Sequence, residues 1–403
     1  MRTPFNPARR MLMRVALSAG ALGPLATLSL AGTSSPGSNR FVMVILRGGM
    51  DGLYAVPAVG DPEFAPARGA LAQYAAAPLP LDAMFALHPN LAQLHAMYGR
   101  GELSVVHAVG LPYHERSHFD AQQVLESGGT RPYELASGWL GRALGAGSAK
   151  GLALSTTVPL VLRGPGIVDT WAPSSLPDPS VDLVTRLERM YGSDPALAAA
   201  LARAKALHFD TAMMAEVNGG PASMSGDAAA RPGGFVALAQ RAAEFLSQSS
   251  GPKVAVLELG GWDSHANEAA PNGATATNLR NLDAGLAALR EGLLAGRVWR
   301  DTVVVVATEF GREVAINGTL GSDHGSGGVA FVLGGAVRGG RVLADWPGLA
   351  KKDRFEGRDL RTTTDLRAVL KGVLGNHLQL SARSLDGDVF PGSDAVRAMA
   401  VMA

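Results

Sequence analysis

Five β-branched residues in unbroken succession, Thr302-Val303-Val304-Val305-Val306, constrain the fold of this chain more than any other stretch. The run shows no polar alternation, so neither face of the strand it predicts meets water. Strands of that kind belong to parallel sheets covered by helices on both sides. The run stops at Ala307-Thr308, and Glu309, Arg312 and Glu313 follow at once. A loop containing Gly and Asn then leads to Asp323-His324-Gly325. Carboxylates and a histidine on loops leaving the carboxyl end of a buried strand are where an open α/β sheet places its chemistry.

Composition narrows the partners. The chain has 403 residues, 47% of them hydrophobic, enough for one large α/β domain or two smaller ones. Its 36 basic and 35 acidic residues leave no field to attract nucleic acid or an anionic membrane. There are no cysteines, which excludes disulfides, thiolate-bound zinc and a thiol nucleophile. Any metal must be held by oxygen and imidazole, which suits Zn, Mg, Mn or Ca.

Residues 1–31 read as an export segment. Arg9 and Arg10 precede an apolar run from Val15 to Ala31, with Ser29-Leu30-Ala31 as a small-residue cleavage site. The run is short for a membrane span and is broken by Gly20, Gly23 and Pro24. The expectation is a twin-arginine signal read by the twin-arginine translocation machinery, then one domain over 32–403. That domain is expected to be periplasmic or otherwise exported, with no stable membrane span once the signal is removed.

The rest of the chain alternates strands and helices. The first strand, Phe41 to Leu46, ends in Arg47-Gly48-Gly49-Met50-Asp51-Gly52. Asp51 is either a ligand at a strand end or a turn aspartate. The strand Leu103 to Val109 carries His107, read as a core histidine. Ser117, after Tyr113-His114-Glu115-Arg116, is placed to cap a helix. The same position gives its hydroxyl, and any bound oxyanion, the positive end of the helix dipole, with His114, Arg116 and His118 adding charge. Pro159 to Gly164 reads as an edge strand, 168–178 as loop and Val181 to about Val217 as helix. Met213-Met214 is read as core and Gly219 to Gly234 as a long loop. The strand Val254 to Leu259 ends in Gly260-Gly261-Trp262-Asp263-Ser264-His265, a pair of metal-ligand types behind two glycines. Leu282, Leu286, Leu289 and Leu293 mark the core face of a helix over Asn278 to Ala295. A further buried strand spans Val329 to Leu333, a last helix spans Asp365 to Leu374, and His377 is expected at the surface. No internal repeat is present. The pattern predicts one doubly wound sheet with right-handed crossovers.

In such a sheet the strand ends share an edge, so Asp51, Ser117, Asp263, His265, Glu309, Asp323 and His324 are expected to cluster. Carboxylates, imidazoles and a hydroxyl together suit ester chemistry on phosphate or a similar oxyanion, assisted by one or two divalent ions.

At these residues the sequence resembles a known family. LRGGMDGL (46–53), LHPNL (87–91), RSHFDAQ (116–122), GGWDSHAN (260–267), TEFGRE (308–313), GSDHGSGG (321–328) and TTDLR (363–367) are similar to the domain of unknown function 1501 family. That family is placed with the alkaline phosphatase-like proteins, alongside sulfatases. The resemblance implies a three-layer α/β/α sandwich with a mostly parallel central sheet and a dinuclear metal site. It implies that Asp51, Asp263, His265, Glu309, Asp323 and His324 hold metal, as one or two ions, with Phe310 following Glu309 where the superfamily pattern has a ligating histidine. Ser117 would be the nucleophile, with Arg312 and His118 assisting on the anion. The expected ion is Zn, with Mg, Mn and Ca as alternatives. Two functions are open: an exported metal-dependent hydrolase of phosphate or sulfate esters, or a non-catalytic envelope protein with a structural or vestigial metal site.

Overall fold

The computed structural model describes residues 39–147, 149–173, 179–218 (backbone alone from 208) and 233–403. The export segment 1–31, the Met213-Met214 side chains and 219–232 of the Gly219–Gly234 loop lie outside the described residues. In chain order the elements are β1 (Arg40–Leu46), α1 (Gly52–Ala55), α2 (Phe64–Arg68), the two-residue strands β2 (Leu79–Pro80) and β3 (Ala86–Leu87), α3 (Ala92–Gly99), β4 (Leu103–Gly110), α4 (His118–Ser127) and α5 (Trp139–Gly145). There follow β5 (Gly151–Ala153), β6 (Val168–Thr170), α6 (Val181–Tyr191), α7 (Pro195–Asn218), α8 (Gly234–Ser247), β7 (Val254–Leu259), α9 (Ala274–Ala295), β8 (Thr302–Thr308), β9 (Gly328–Leu333), β10 (Arg341–Leu343), β11 (Thr364–Asp365) and α10 (Leu366–His377).

The β-branched run is β8, and every residue of it is buried. It lies in a sheet ordered β10-β4-β9-β8-β1-β7-β5-β6, with β11 also paired to β4. Side chains alternate between two cores. On one face Val42, Val44, Leu46, Val304 and Val306 pack with α3, α8 and α9, including the expected Leu282, Leu286, Leu289 and Leu293. On the other, Phe41, Met43, Ile45, Val303 and Val305 pack with α4, α5 and α10. Helices on both faces explain why the strands carry no polar period, and the architecture is the expected three-layer α/β/α sandwich.

The sheet departs from a purely parallel one at β9, which runs antiparallel to both β8 and β4. A parallel return from β8 needs a crossover, usually helical. The chain between them, 309–327, contains no helix and turns back at the edge it has just reached. That reversal delivers Asp323 and His324 beside Glu309.

Two assignments from sequence are corrected. The Pro159–Gly164 segment is a 3-10 turn at Leu160–Leu162, and the edge strand is β6, inside the stretch read as loop. The turn's apolar residues are buried against α5, whose Gly138 and Gly141 leave room for the turn's carbonyls. Apolar residues covered this way need no strand. His377 is buried, not at the surface, and its Nε2 bonds the Arg40 carbonyl at 2.8 Å.

His107 is the core residue expected. It is fully buried, its ring centroid lies 5.0 Å from those of Phe85 and Trp346, and its Nε2–H donates to the Val56 carbonyl at 3.0 Å. Burial pushes its pKa down from 6.5 to about 4, against the pull of the Val56 hydrogen bond. The neutral ring therefore stabilises the fold fully above pH 6.5, and that contribution is lost as pH falls towards 4, because the unfolded chain binds the proton first. We expect unfolding free energy to drop across this window, by about 3 kcal/mol from this residue at 1.36 kcal/mol per unit. Urea titrations at several pH values check this, and the His107→Gln chain should show a flatter profile.

Candidate metal centre

Four segments meet at the carboxyl edge of the sheet: the turn after β1, the N-terminus of α4, the loop after β7 and the β8–β9 loop. The turn after β1 approaches the β7 loop so closely that a Cβ at Gly48 would stand 2.7 Å from the Asp263 amide nitrogen, and Gly48 has φ +115°. The β8–β9 loop folds on itself equally tightly, since a Cβ at Gly311 would lie 1.8 Å from the Gly327 carbonyl oxygen.

The segments bring four donor atoms together. His324 Nε2 lies 3.0 Å from His118 Nε2, 3.0 Å from His265 Nε2 and 3.2 Å from Asp263 Oδ1. Asp263 Oδ1 is also 2.9 Å from His265 Nε2 and 3.3 Å from His118 Nε2. The other nitrogen of each ring is already committed. His118 Nδ1 bonds Glu309 Oε1 at 2.7 Å, His265 Nδ1 bonds Asp323 Oδ1 at 3.0 Å and His324 Nδ1 bonds the Arg116 carbonyl at 2.9 Å. A carbonyl or an ionised carboxylate can only accept, so each Nδ1 carries the hydrogen and, in the neutral rings, each Nε2 turns a lone pair inward. Three lone pairs and a carboxylate oxygen facing one point repel unless a positive charge sits among them.

A metal ion fits that requirement. A tetrahedral zinc ion with bonds of about 2.0–2.1 Å holds its donors roughly 3.3 Å apart, close to the spacing among His118, Asp263 and His324, whose donor atoms form one group able to hold an ion, with His265 adjoining it through Asp263 and His324. Each imidazole also has the second hydrogen-bond partner that metal-binding histidines ordinarily show. A proton is the competing occupant. Its hydrogen bond to Glu309 raises the His118 pKa, whereas burial lowers that of His324. Burial works against the charge on Asp263, but the Arg312 guanidinium and the nearby imidazoles hold its carboxyl well below the usual range. The Asp263 and His265 side chains are 46% and 44% exposed, so the centre faces solvent.

The sequence-derived candidates divide accordingly. Asp263, His265 and His324 come together, and His118 joins them as a fourth donor. Glu309 and Asp323 stand behind imidazoles. Glu309 is fully buried and also accepts from the Gly48 amide at 2.8 Å and Gln122 at 3.2 Å. Ser117 caps α4, its Oγ accepting from the Asp120 amide at 3.5 Å, beside the centre and with no hydrogen bond to the four donors among the described residues. Phe310 packs its ring 4.7 Å from that of His118 and 5.1 Å from that of His324, supporting both.

Two candidates lie outside the four donors. Arg312 is committed to the protein itself: its buried guanidinium donates to the carbonyls of Gly48, Gly49, Trp262 and Ser322 and to the Asp263 carboxylate at Oδ1. Asp51 is not among the donors. One of its oxygens caps α1 through the Tyr54 amide at 2.9 Å, and the other pairs with the fully buried Arg68. Arg68 in turn bonds the carbonyls of Glu313 and Val314 at 3.1 and 3.2 Å. Glu268 completes this lower layer, hydrogen-bonded to Ser322 Oγ, with its pKa pushed up to about 8 by burial and the charge of Asp51. Sequence reading missed Arg68 and Glu268. Both lie in loop-like stretches without a motif, and only the fold pairs them with Asp51.

The fold and the centre define an α/β sandwich with a possible His/Asp metal site at the carboxyl edge of its sheet. The chain belongs to the family described as Protein of unknown function (DUF1501), which it matches over residues 88–389. No protein with a curated description matches it. Among solved structures it is similar to Ps i-CgsB in complex with k-i-k-neocarrahexaose, with 9% identity, 89% of this chain and 77% of that chain covered and a TM-score of 0.45. It is similar to the phosphonate monoester hydrolase of Agrobacterium radiobacter, with 12% identity, 85% and 74% covered and a TM-score of 0.39. The lipoteichoic acid synthase LtaP of Listeria monocytogenes gives 10% identity, 88% and 76% covered and a TM-score of 0.40. Likeness at this level assigns neither substrate nor mechanism.

The contrast between the two layers can be measured. Removing one partner of a buried ion pair leaves an uncompensated charge and costs about 3–5 kcal/mol. Asp51→Ala is expected to lower unfolding free energy by that amount while zinc content after reconstitution stays as in the parent chain. Loss of zinc from a folded Asp51→Ala protein would return Asp51 to the ligand set.

Proposed function

We propose that this chain is an exported, metal-dependent hydrolase of phosphate or sulfate esters that binds one divalent ion through His118, Asp263, His265 and His324. The observation that carries the reading is the convergence of three imidazole lone pairs and a carboxylate oxygen, each ring oriented by its own acceptor. Three nitrogens and one oxygen favour Zn, with Mn next, over Mg and Ca, which prefer all-oxygen shells. Such an ion supplies Lewis acidity towards an ester oxygen.

The chain's own groups do the rest. Glu309, Asp323 and the Arg116 carbonyl hold the rings in the tautomer that leaves Nε2 free. Arg312 holds Asp263 towards the same point and keeps it ionised. Ser117 is the candidate nucleophile. It sits between Arg116, whose carbonyl orients His324, and His118, at the N-terminus of a ten-residue helix whose dipole favours an alkoxide or a bound oxyanion. The exposure of Asp263 and His265 leaves an approach for substrate.

Export rests on the Arg9-Arg10 segment, and no described helix is long and apolar enough to cross a membrane. A non-catalytic role remains the second reading, favoured by one observation: four protein donors can close a tetrahedral shell, as structural zinc sites do.

Elemental analysis of the purified mature chain is expected to find one divalent ion. Asp263→Ala and His324→Ala should lose it while remaining folded. The loaded chain should turn over an aryl phosphate or aryl sulfate, and Ser117→Ala should keep the metal and lose the turnover. Equal activity in Ser117→Ala removes Ser117 as nucleophile. Metal binding without turnover of either ester favours the structural role.

A further inference from the structure

The three imidazoles are not oriented alike. His118 and His265 donate Nδ1–H to carboxylates, but His324 donates to a backbone carbonyl, that of Arg116. A carbonyl has no rotamer of its own, so its direction is set by the backbone at residues 116 and 117. Arg116 has φ +60°, a region that costs a non-glycine residue about 1 kcal/mol or more. Something must hold it there.

The side chain of the same residue supplies the restraint. Arg116 Nε donates to Asp359 Oδ2 at 2.8 Å, its Nη2 reaches Glu356, and the guanidinium lies 5.9 Å from the Phe355 ring centre. Asp359 is fully buried and is itself fixed. Its Oδ2 accepts from Ser326 Oγ at 2.9 Å and its Oδ1 from Arg358 at 3.0 Å. Ser326 lies two residues beyond His324, and its carbonyl accepts from the Gly311 amide at 2.9 Å. One buried carboxylate therefore grips both the residue that presents the acceptor and the strand entry that carries the donor ring.

We infer that Arg116 and Asp359 form a positioning pair for His324, setting its Nδ1–H tautomer and thereby the inward lone pair on Nε2. The inference rests on the metal reading above for its effect on affinity. Its effect on the tautomer does not depend on any metal. Neither residue touches the four donor atoms, and the sequence offered Arg116 only as added charge beside a bound oxyanion and Asp359 not at all.

Three variants separate the possibilities. Arg116→Gly keeps φ +60° accessible but frees the carbonyl to swing. Asp359→Asn keeps the shape and removes the charge. Glu356→Gln removes only the exposed partner and serves as control, since exposed ion pairs contribute little. Zinc affinity, read by competition with a chromophoric chelator, is expected to fall about 10- to 100-fold in Arg116→Gly and Asp359→Asn, the range for losing such an outer partner, and to stay at the parent value in Glu356→Gln. Nitrogen-15 imidazole spectra of the metal-free chain at alkaline pH, where the rings are neutral, should show His324 moving from Nδ1–H alone to a mixture of tautomers. If Asp359→Asn does not fold, Arg116→Gly decides the question, because glycine relieves the backbone. Folded variants with parent affinity and an unchanged His324 tautomer would overturn the pairing. If the parent chain binds no divalent ion, the metal reading fails, and the tautomer of His324 in Arg116→Gly still decides the positioning role.

Discussion

The centre depends on the buried guanidinium of Arg312. Its nitrogens bond the carbonyls of Gly48 and Gly49 after β1, Trp262 after β7 and Ser322 in the β8–β9 loop, and finally Asp263. Those loops come from three different places in the chain, and although Met50, Trp262 and Phe310 anchor them in the core, their backbone carbonyls need partners of their own. A planar cation with five donors joins them at one point, which a lysine's single ammonium could not do in the same geometry. Without it several buried carbonyls would lack partners, each at a cost of about 1–3 kcal/mol. The same contact keeps Asp263 ionised and aimed, so the architecture of the loops and the chemistry of the donors share one interaction.

Much of this was legible in the sequence. The aperiodic Val run announced a strand buried on both faces, and the glycine-flanked ends of Leu46 and Leu259 announced loops that approach one another. Asp263, His265 and His324 could be picked out because each follows or precedes a buried strand and is a ligand type. The antiparallel course of β9 was not legible, because a fully buried strand reads the same in either direction. Yet that course places Asp323 and His324 at the carboxyl edge of the sheet, beside the other donors. A run of apolar residues such as Leu160 to Leu162 was likewise ambiguous between strand and buried turn, and packing against the glycines of α5 decided it.

Roles within the cluster were harder to read than membership. Asp51 and Asp263 look alike in sequence, each an aspartate two residues after a Gly-Gly pair at a strand end. The difference lies in Arg68, seventeen residues beyond Asp51, which the fold swings beneath the β1 turn and which takes the Asp51 carboxylate for itself. Glu309 and His118 exchanged expected roles for a related reason. Glu309 sits on the strand end, too deep to reach the shared point, and His118 in the first turn of α4 bridges the gap. Depth below the sheet edge separates a donor from its support, and depth has no local signature.

The resulting charge balance sets the electrostatics of the centre. Asp263, Glu309 and Asp323 are all held ionised, with pKa values below the ordinary carboxylate range. Arg312 offsets one of these three charges, and the hydrogen bond to Glu309, which raises the His118 pKa, lets a proton on that ring offset another. Beneath them Asp51 and Arg68 cancel, and the raised pKa of Glu268 keeps it from adding a negative charge at neutral pH. With the rings neutral, two negative charges are left around a point lined by lone pairs, which is the charge of one divalent cation. Protonating His118 offsets only half of it. A positive charge among the inward lone pairs, whether an ion or a proton, would relieve the repulsion between the carboxylates that frame the point, and that is the electrostatic demand the fold builds into this edge of the sheet.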